Sequence, residues 1–358
     1  MTSHYQRRHM HAFTLVEMMV AVAVLALLMG IIIAITNSVT KTVRWNNSKL
    51  EAFAAARSSF DIIANRLTTA TLSTYWDYDY NPMGNSLLDT SATTKPPTTY
   101  LRKSDLYFLI RANTQNPGYG QEIYFQSPES FSNNPDIRST QGLLNACSFF
   151  VQYCDNSELR PAALRGADSV PSWRYRLMQG NQPTEDLSVY KYTYETNVDP
   201  DKKETGTEWL EDISNGGTEK IETCVTPIAD NVIALIFWPR LSAGEDPDGT
   251  ALTGDYAYDS RKDAFVTNPK QPVTANQLPP TIQVTLISIS EASAKRLNTD
   301  SATPPDIIDS ALKDKFTNVV NFKRDLADLE AVLNADHIEY QIFNTSITMR
   351  ESKWSGTP

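Results

Sequence analysis

Histidine is nearly missing from this chain. Three of its four histidines, His4, His9 and His11, lie within the first eleven residues, and only His337 sits in the body. A Ser-His-Asp or Cys-His nucleophile system would have to be built on that one imidazole, and its place just before a strand-like run fits a surface or edge residue. A multi-histidine metal site is excluded, and no Cys/His spacing resembles a zinc site. Cysteine is scarce: Cys147, Cys154 and Cys224. Cys147 and Cys154 lie close enough in sequence to close a small loop in an oxidising compartment. The alternative is unpaired thiols, and the odd count leaves at least one unpaired in a monomer. Positive charge is short as well, with 32 basic against 42 acidic residues and a net charge of −10. That balance argues against a nucleic-acid partner, which needs concentrated Lys and Arg. There is no phosphate-cradling glycine loop, no nucleophile elbow and no internal repeat.

Long apolar runs are also missing, with one exception. Residues 13–35 read FTLVEMMVAVAVLALLMGIIIAI, 23 residues with a single carboxylate, Glu17. About 20 apolar residues suffice for a helix to cross a bilayer. A carboxylate inside such a span is unfavourable and usually has a specific partner. The run is too long for the core of a cleaved secretory signal, and the small residue, Ala12, precedes it instead of following. An uncleaved signal anchor is the plain alternative. Val39, Val43, Leu50, Phe53, Phe60, Ile63 and Leu67 recur at helical steps beyond the span, and no proline occurs before Pro82. A helix over residues 13–72 is expected, about 90 Å long at 1.5 Å per residue.

A leader bearing Arg7 and Arg8, Ala12 at its end and Phe13-Thr14-Leu15-Val16-Glu17 directly after it resemble the type IV prepilin and pseudopilin signature. The resemblance implies a membrane peptidase that cuts between Ala12 and Phe13, and N-methylation of Phe13 by the same enzyme. Ala12 stands where the family usually has glycine. Glu17 becomes the fifth mature residue, and the resemblance implies that it pairs with the amino terminus of a neighbouring subunit. Residues 1–12 are then a leader that faces the cytoplasm, 13–72 a transmembrane and assembly helix, and 73–358 a head. Other pseudopilins, the prepilin peptidase/methyltransferase and the inner membrane are the implied partners, with the head in the periplasm.

About 285 residues remain for the head, ample for one large or two small domains. Residues 75–82 are aromatic and turn-rich, expected to pack at the end of the helix or, alternatively, to form a sugar-binding platform. A Thr/Ser/Pro-rich linker over residues 85–99 follows. Strands are expected at residues 105–111, 122–126, 148–153, 173–178, 189–194, 232–238, 282–289 and 339–349. The wholly apolar 232–238 is the expected central strand. Helices are expected at 306–316, after Pro304-Pro305, and at 322–334. The fold class is α+β: a long N-terminal helix packed on an antiparallel sheet, pilin-like, with extra helices late in the chain.

Three stretches, at residues 231–237, 278–286 and 340–350, resemble the large J-type minor pseudopilin of type II secretion. The ending at 349–354 is also similar to the Verru_Chthon cassette protein C family. Long insertions at residues 113–140 and 199–223 depart from a compact J-type head. Asp246, Asp248 and Asp255 form an acidic, glycine-containing loop of the kind calcium prefers, without the full loop spacing; the alternative is a solvated turn. Three readings stand: a structural minor pseudopilin without catalysis, an adhesin or cargo-binding head on the same anchor, and a membrane-anchored enzyme, which the shortage of histidine disfavours.

Overall fold

The computed structural model describes residues 15–79, 99–114, 119–157, 172–190, 210, 224–242, 244–262, 271–297 and 301–354. The chain divides into two compact units, residues 1–51 and 52–358. In the first unit, helix α1 (Leu15–Thr68) begins, and its stretch Leu15–Val43 leaves its side chains exposed.

The second unit starts within α1. There Ala56, Phe60, Ile63 and Leu67, spaced four, three and four apart, are all buried in one core. The helix ends at Thr68, where Thr69 and Ala70 turn back onto the carbonyls of Arg66 and Leu67. The strands are β1 (Tyr75–Asp79), β2 (Thr99–Lys103), β3 (Leu109–Ala112), β4 (Gln121–Pro128), β5 (Leu144–Cys154), β6 (Arg174–Gln182), β7 (Val225–Asp230), β8 (Val232–Arg240), β9 (Tyr258–Asp259), β10 (Thr281–Ile289) and β11 (Tyr340–Thr348). Helices α2 (Glu291–Arg296), α3 (Asp306–Leu312) and α4 (Phe322–Ala335) stand between β10 and β11. All strand ladders are antiparallel: a six-stranded sheet β7-β6-β5-β4-β3-β9, a three-stranded sheet β11-β10-β8 and the pair β1-β2. The α+β class and the late helices are as the sequence implies.

Several expectations are corrected. The apolar strand β8 is an edge of its ladder, and β10 is the middle strand. Its burial comes from a junction with the larger sheet instead: Gly120, ahead of β4, forms a parallel bridge to Leu235. Gly120 has φ +94°, and a Cβ there would lie 2.0 Å from the Leu235 carbonyl oxygen, so only glycine fits. The neighbouring Gln121 side chain accepts from Phe237 N at 3.1 Å and donates to Phe316 O at 3.0 Å. The strand expected at 105–111 starts only at Leu109, because the chain bends at Asp105 and Leu106 after β2. Val189 and Tyr190, the described start of another expected strand, are helical. The helix expected to reach residue 316 stops at Leu312, and Asp314 and Phe316 adopt positive φ. Helix α4 ends with His337 at φ 53° and Ile338 N bonded to Leu333 O, a cap usually built on glycine. The Thr/Ser/Pro linker and the 199–223 insertion fall, save Thr99 and Leu210, outside the described residues.

Candidate assembly and processing segment

The segment Leu15–Val43 has a mean hydropathy of 3.0 over its most apolar window, and none of that window is buried within the protein. It is the one helix among the described residues long and apolar enough to cross a membrane. Apolar surface of that kind is unfavourable in water, at roughly 25 cal/mol per Å², and makes the helix a candidate membrane anchor. Glu17 lies in the first turn, where the helix dipole favours negative charge. Ala12 and Phe13 lie outside the described residues.

The other candidates from the sequence do not converge. Cys147 and Cys154 sit in the single strand β5, seven residues apart. At a rise of about 3.3 Å per residue they are separated by roughly 23 Å, far beyond disulfide reach, and both are thiols. Asp246 is buried, with its oxygens accepting from Thr250 N at 3.2 Å and Ala251 N at 2.9 Å, so it caps its own loop. Asp248 is exposed, and Asp255 accepts from Thr253 Oγ1 and Ala257 N. No group of three or more His, Cys, Asp or Glu side chains able to hold a metal occurs among the described residues.

The aromatic run at residues 75–79 is extended, and Tyr75 and Trp76 are exposed instead of packed under the helix end. It is strand β1, paired with β2 in the register Trp76 to Arg102 and Tyr78 to Tyr100. Trp76 is 66% exposed and Tyr100 57%. The Arg102 guanidinium lies 5.9 Å from the Trp76 ring centre. It is held in place by bonds to Ala275 O at 2.8 Å and Val273 O at 2.7 Å, so the indole rests on a fixed cation.

One polar cluster gives no pattern in the sequence. Arg66, on the last turn of α1, pairs with Glu129 and lies 3.7 Å from Cys147 Sγ. Cys147 Sγ donates to Glu129 Oε1 at 3.1 Å, and Ser127 Oγ donates to the same oxygen at 2.9 Å. With its amide turned to satisfy both groups, Gln179 Oε1 accepts from Arg66 at 2.7 and 3.1 Å. Burial, and then the Glu129 charge, push the Cys147 thiol up against the opposing pull of Arg66, so it stays protonated and inert. The cluster pins the C-terminal turn of α1 to strands β4, β5 and β6.

With this geometry in hand, comparison with known proteins is informative at the N-terminus. The prokaryotic N-terminal methylation motif matches residues 7–33. The chain carries a prepilin-type methylation motif. The match spans Ala12, Phe13, Glu17 and most of the exposed apolar helix, and it supports a type IV pilin-like or pseudopilin-like protein. Proteins with this motif are structural, assemble with other pilins and are processed by a prepilin peptidase. No curated protein and no solved structure matches the chain.

Proposed function

We propose that this chain is a minor pseudopilin, a non-catalytic subunit that assembles through α1 into a type II secretion-like or type IV pilus-like filament, near its tip. Peptidase cleavage between Ala12 and Phe13 releases residues 1–12, and Phe13 is then N-methylated. The helix is first a membrane anchor in the inner membrane, with the head in the periplasm. It then becomes the assembly element, moving from lipid into a bundle of neighbouring helices. Glu17 drives docking, because a carboxylate in lipid is unfavourable by a few kcal/mol and a neighbour's new amino terminus relieves it. The observation that carries the reading is the overlap of the methylation motif with an apolar helix that the protein itself leaves uncovered. The J-type and Verru_Chthon cassette resemblances belong to this proposal at the level of subgroup. The test is incorporation into a sheared filament fraction. Glu17→Leu is expected to leave the protein folded and in the membrane but to remove it from that fraction by tenfold or more. Wild-type incorporation of the variant would refute the charge-pair role.

A second reading, a binding head for cargo or surface sugars on the same anchor, is favoured by one observation: the exposed Trp76 face held over Arg102. Trp76→Ala should then abolish ligand retention with assembly intact. Retention unchanged by that substitution would refute it.

A further inference from the structure

Every sheet must end somewhere, and an edge strand offers unpaired N–H and C=O groups to any other chain unless something guards it. Among the described residues, nearly all of the edges are guarded. Strand β9 is two residues long. Strand β7 carries Pro227 and Asp230, has a register shift against β6, and has its Ile228 carbonyl taken by Ser59 of α1 at 2.9 Å. The outer side of β8 is taken by Gly120, Tyr119 and Gln121. In β2, Arg102 N is bonded by the Gln271 side chain, and Arg102 O accepts from Gln271 and Asn276, all at 2.8–2.9 Å. In the β1-β2 pair, β1 bears Asp77, paired with Lys103 of β2.

Strand β11 differs in every respect. Its nine residues, Tyr340–Thr348, contain no charge, no proline and no glycine. Its ladder with β10 runs the full nine pairs without a bulge. The flanking bonds Met349 N to Pro280 O and Ser290 N to Glu339 O fix the phase of that ladder. In an antiparallel pair, hydrogen-bonded and non-bonded residues alternate, so odd-numbered residues bond to β10. The backbone groups of Tyr340, Ile342, Asn344, Ser346 and Thr348 therefore point away from it. Among the described residues no strand pairs with that side. Among the described residues, the hydrogen bond on that side is a long 3.4 Å one from the Gln341 side chain to Ile342 O. Asn344, Ser346 and Thr348 have exposed side chains. On its inner face, Phe343 meets Phe60 of α1 with ring centres 5.8 Å apart, so the edge adjoins the assembly helix.

We propose that the outer edge of β11 docks an extended, uncharged strand of another methylation-motif subunit, continuing the three-stranded sheet across a subunit boundary. Main-chain bonds to the five outward residues give affinity, and the alternate side chains set register. A different chain is favoured over a second copy because self-pairing would join two strongly acidic chains, each of net charge −10 before residues 1–12 with Arg7 and Arg8 are removed. The identity of the partner rests on the pilin-like reading above; the edge geometry does not.

The test uses the full-length chain in its own membranes, with a photoreactive side chain at Ser346. The expected product is a crosslink to an extended segment of another chain that carries the methylation motif, with the partner peptide sequenced. Asn344→Pro removes one outward N–H without touching the β10 ladder, and Asn344→Lys adds a charge at the edge. Each should lower the crosslink yield at least tenfold. The mature N-terminal mass is measured on the same sample. A methylated N-terminus with no strand crosslink, with a crosslink to a second copy, or with a yield unchanged in both variants overturns the edge proposal alone. An intact N-terminus overturns the pilin-like reading and the partner class with it.

Discussion

At the scale of single residues, the sequence-level reading and the structure meet most unevenly at the acids. Glu17 stands out in sequence because nothing else charged lies between Phe13 and Ile35. Glu291 does not stand out, yet it is the most strongly shifted carboxyl outside the membrane segment among the described residues. Partial burial raises its pKa, but hydrogen bonds from Arg174, Asn231 and Lys295 outweigh that and hold it at about 2, against an ordinary 4.5. Asn231 donates to it at 2.8 Å, and Lys295 lies 3.4 Å away on the next turn of α2. A folded-state pKa below the unfolded one stabilises the protein above pH 4.5, and that contribution is lost as pH falls towards 2. Detergent-solubilised protein should therefore lose stability across that window, and Glu291→Gln should be less stable at neutral pH and flatter in acid. Parallel pH profiles for the two proteins would contradict this. The cysteines make the opposite point: their proximity in sequence suggested a loop, but an extended strand carries neighbours apart.

At the scale of elements, periodicity served where one face of an element meets the core. The three- and four-residue steps of Phe60, Ile63 and Leu67 and the pattern of α4 were legible for that reason, whereas Ala56 was not picked out and Phe53 is only half-buried. The apolar run of β8 was legible as a strand but not in its position. Full burial reads the same whether it comes from ladders on both sides or from a bridge to another sheet. Gly120 makes that bridge, and no sequence period marks it. Gly120→Ala should cost about 2–4 kcal/mol of unfolding free energy, from positive-φ strain and the clash with Leu235 O. Denaturant titration checks it, and a loss under about 0.5 kcal/mol would show that the junction yields. Strand β1 was missed because Tyr-Trp-Asp-Tyr-Asp mixes strand-forming aromatics with turn-forming acids, and pairing with β2 decides between them.

At the scale of the whole molecule, the chain divides into two compact units. Residues 1–51 contain the methylation motif and the exposed apolar helix; residues 52–358 form a head with its own core. The motif was legible because it is short, local and chemically constrained. In the head, the exposed indole lies in the aromatic run that the sequence offered as an alternative sugar-binding platform, whereas the open edge of β11 was not legible, since it arises from pairing between distant segments. The central claim is that residues 1–12 are removed and the new terminus enters an assembly. The mass of the mature N-terminal peptide, taken from membranes that express the full-length chain, tests it most directly. The expected peptide begins at Phe13 and is heavier by one methyl group. A peptide that retains residues 1–12 would contradict the account.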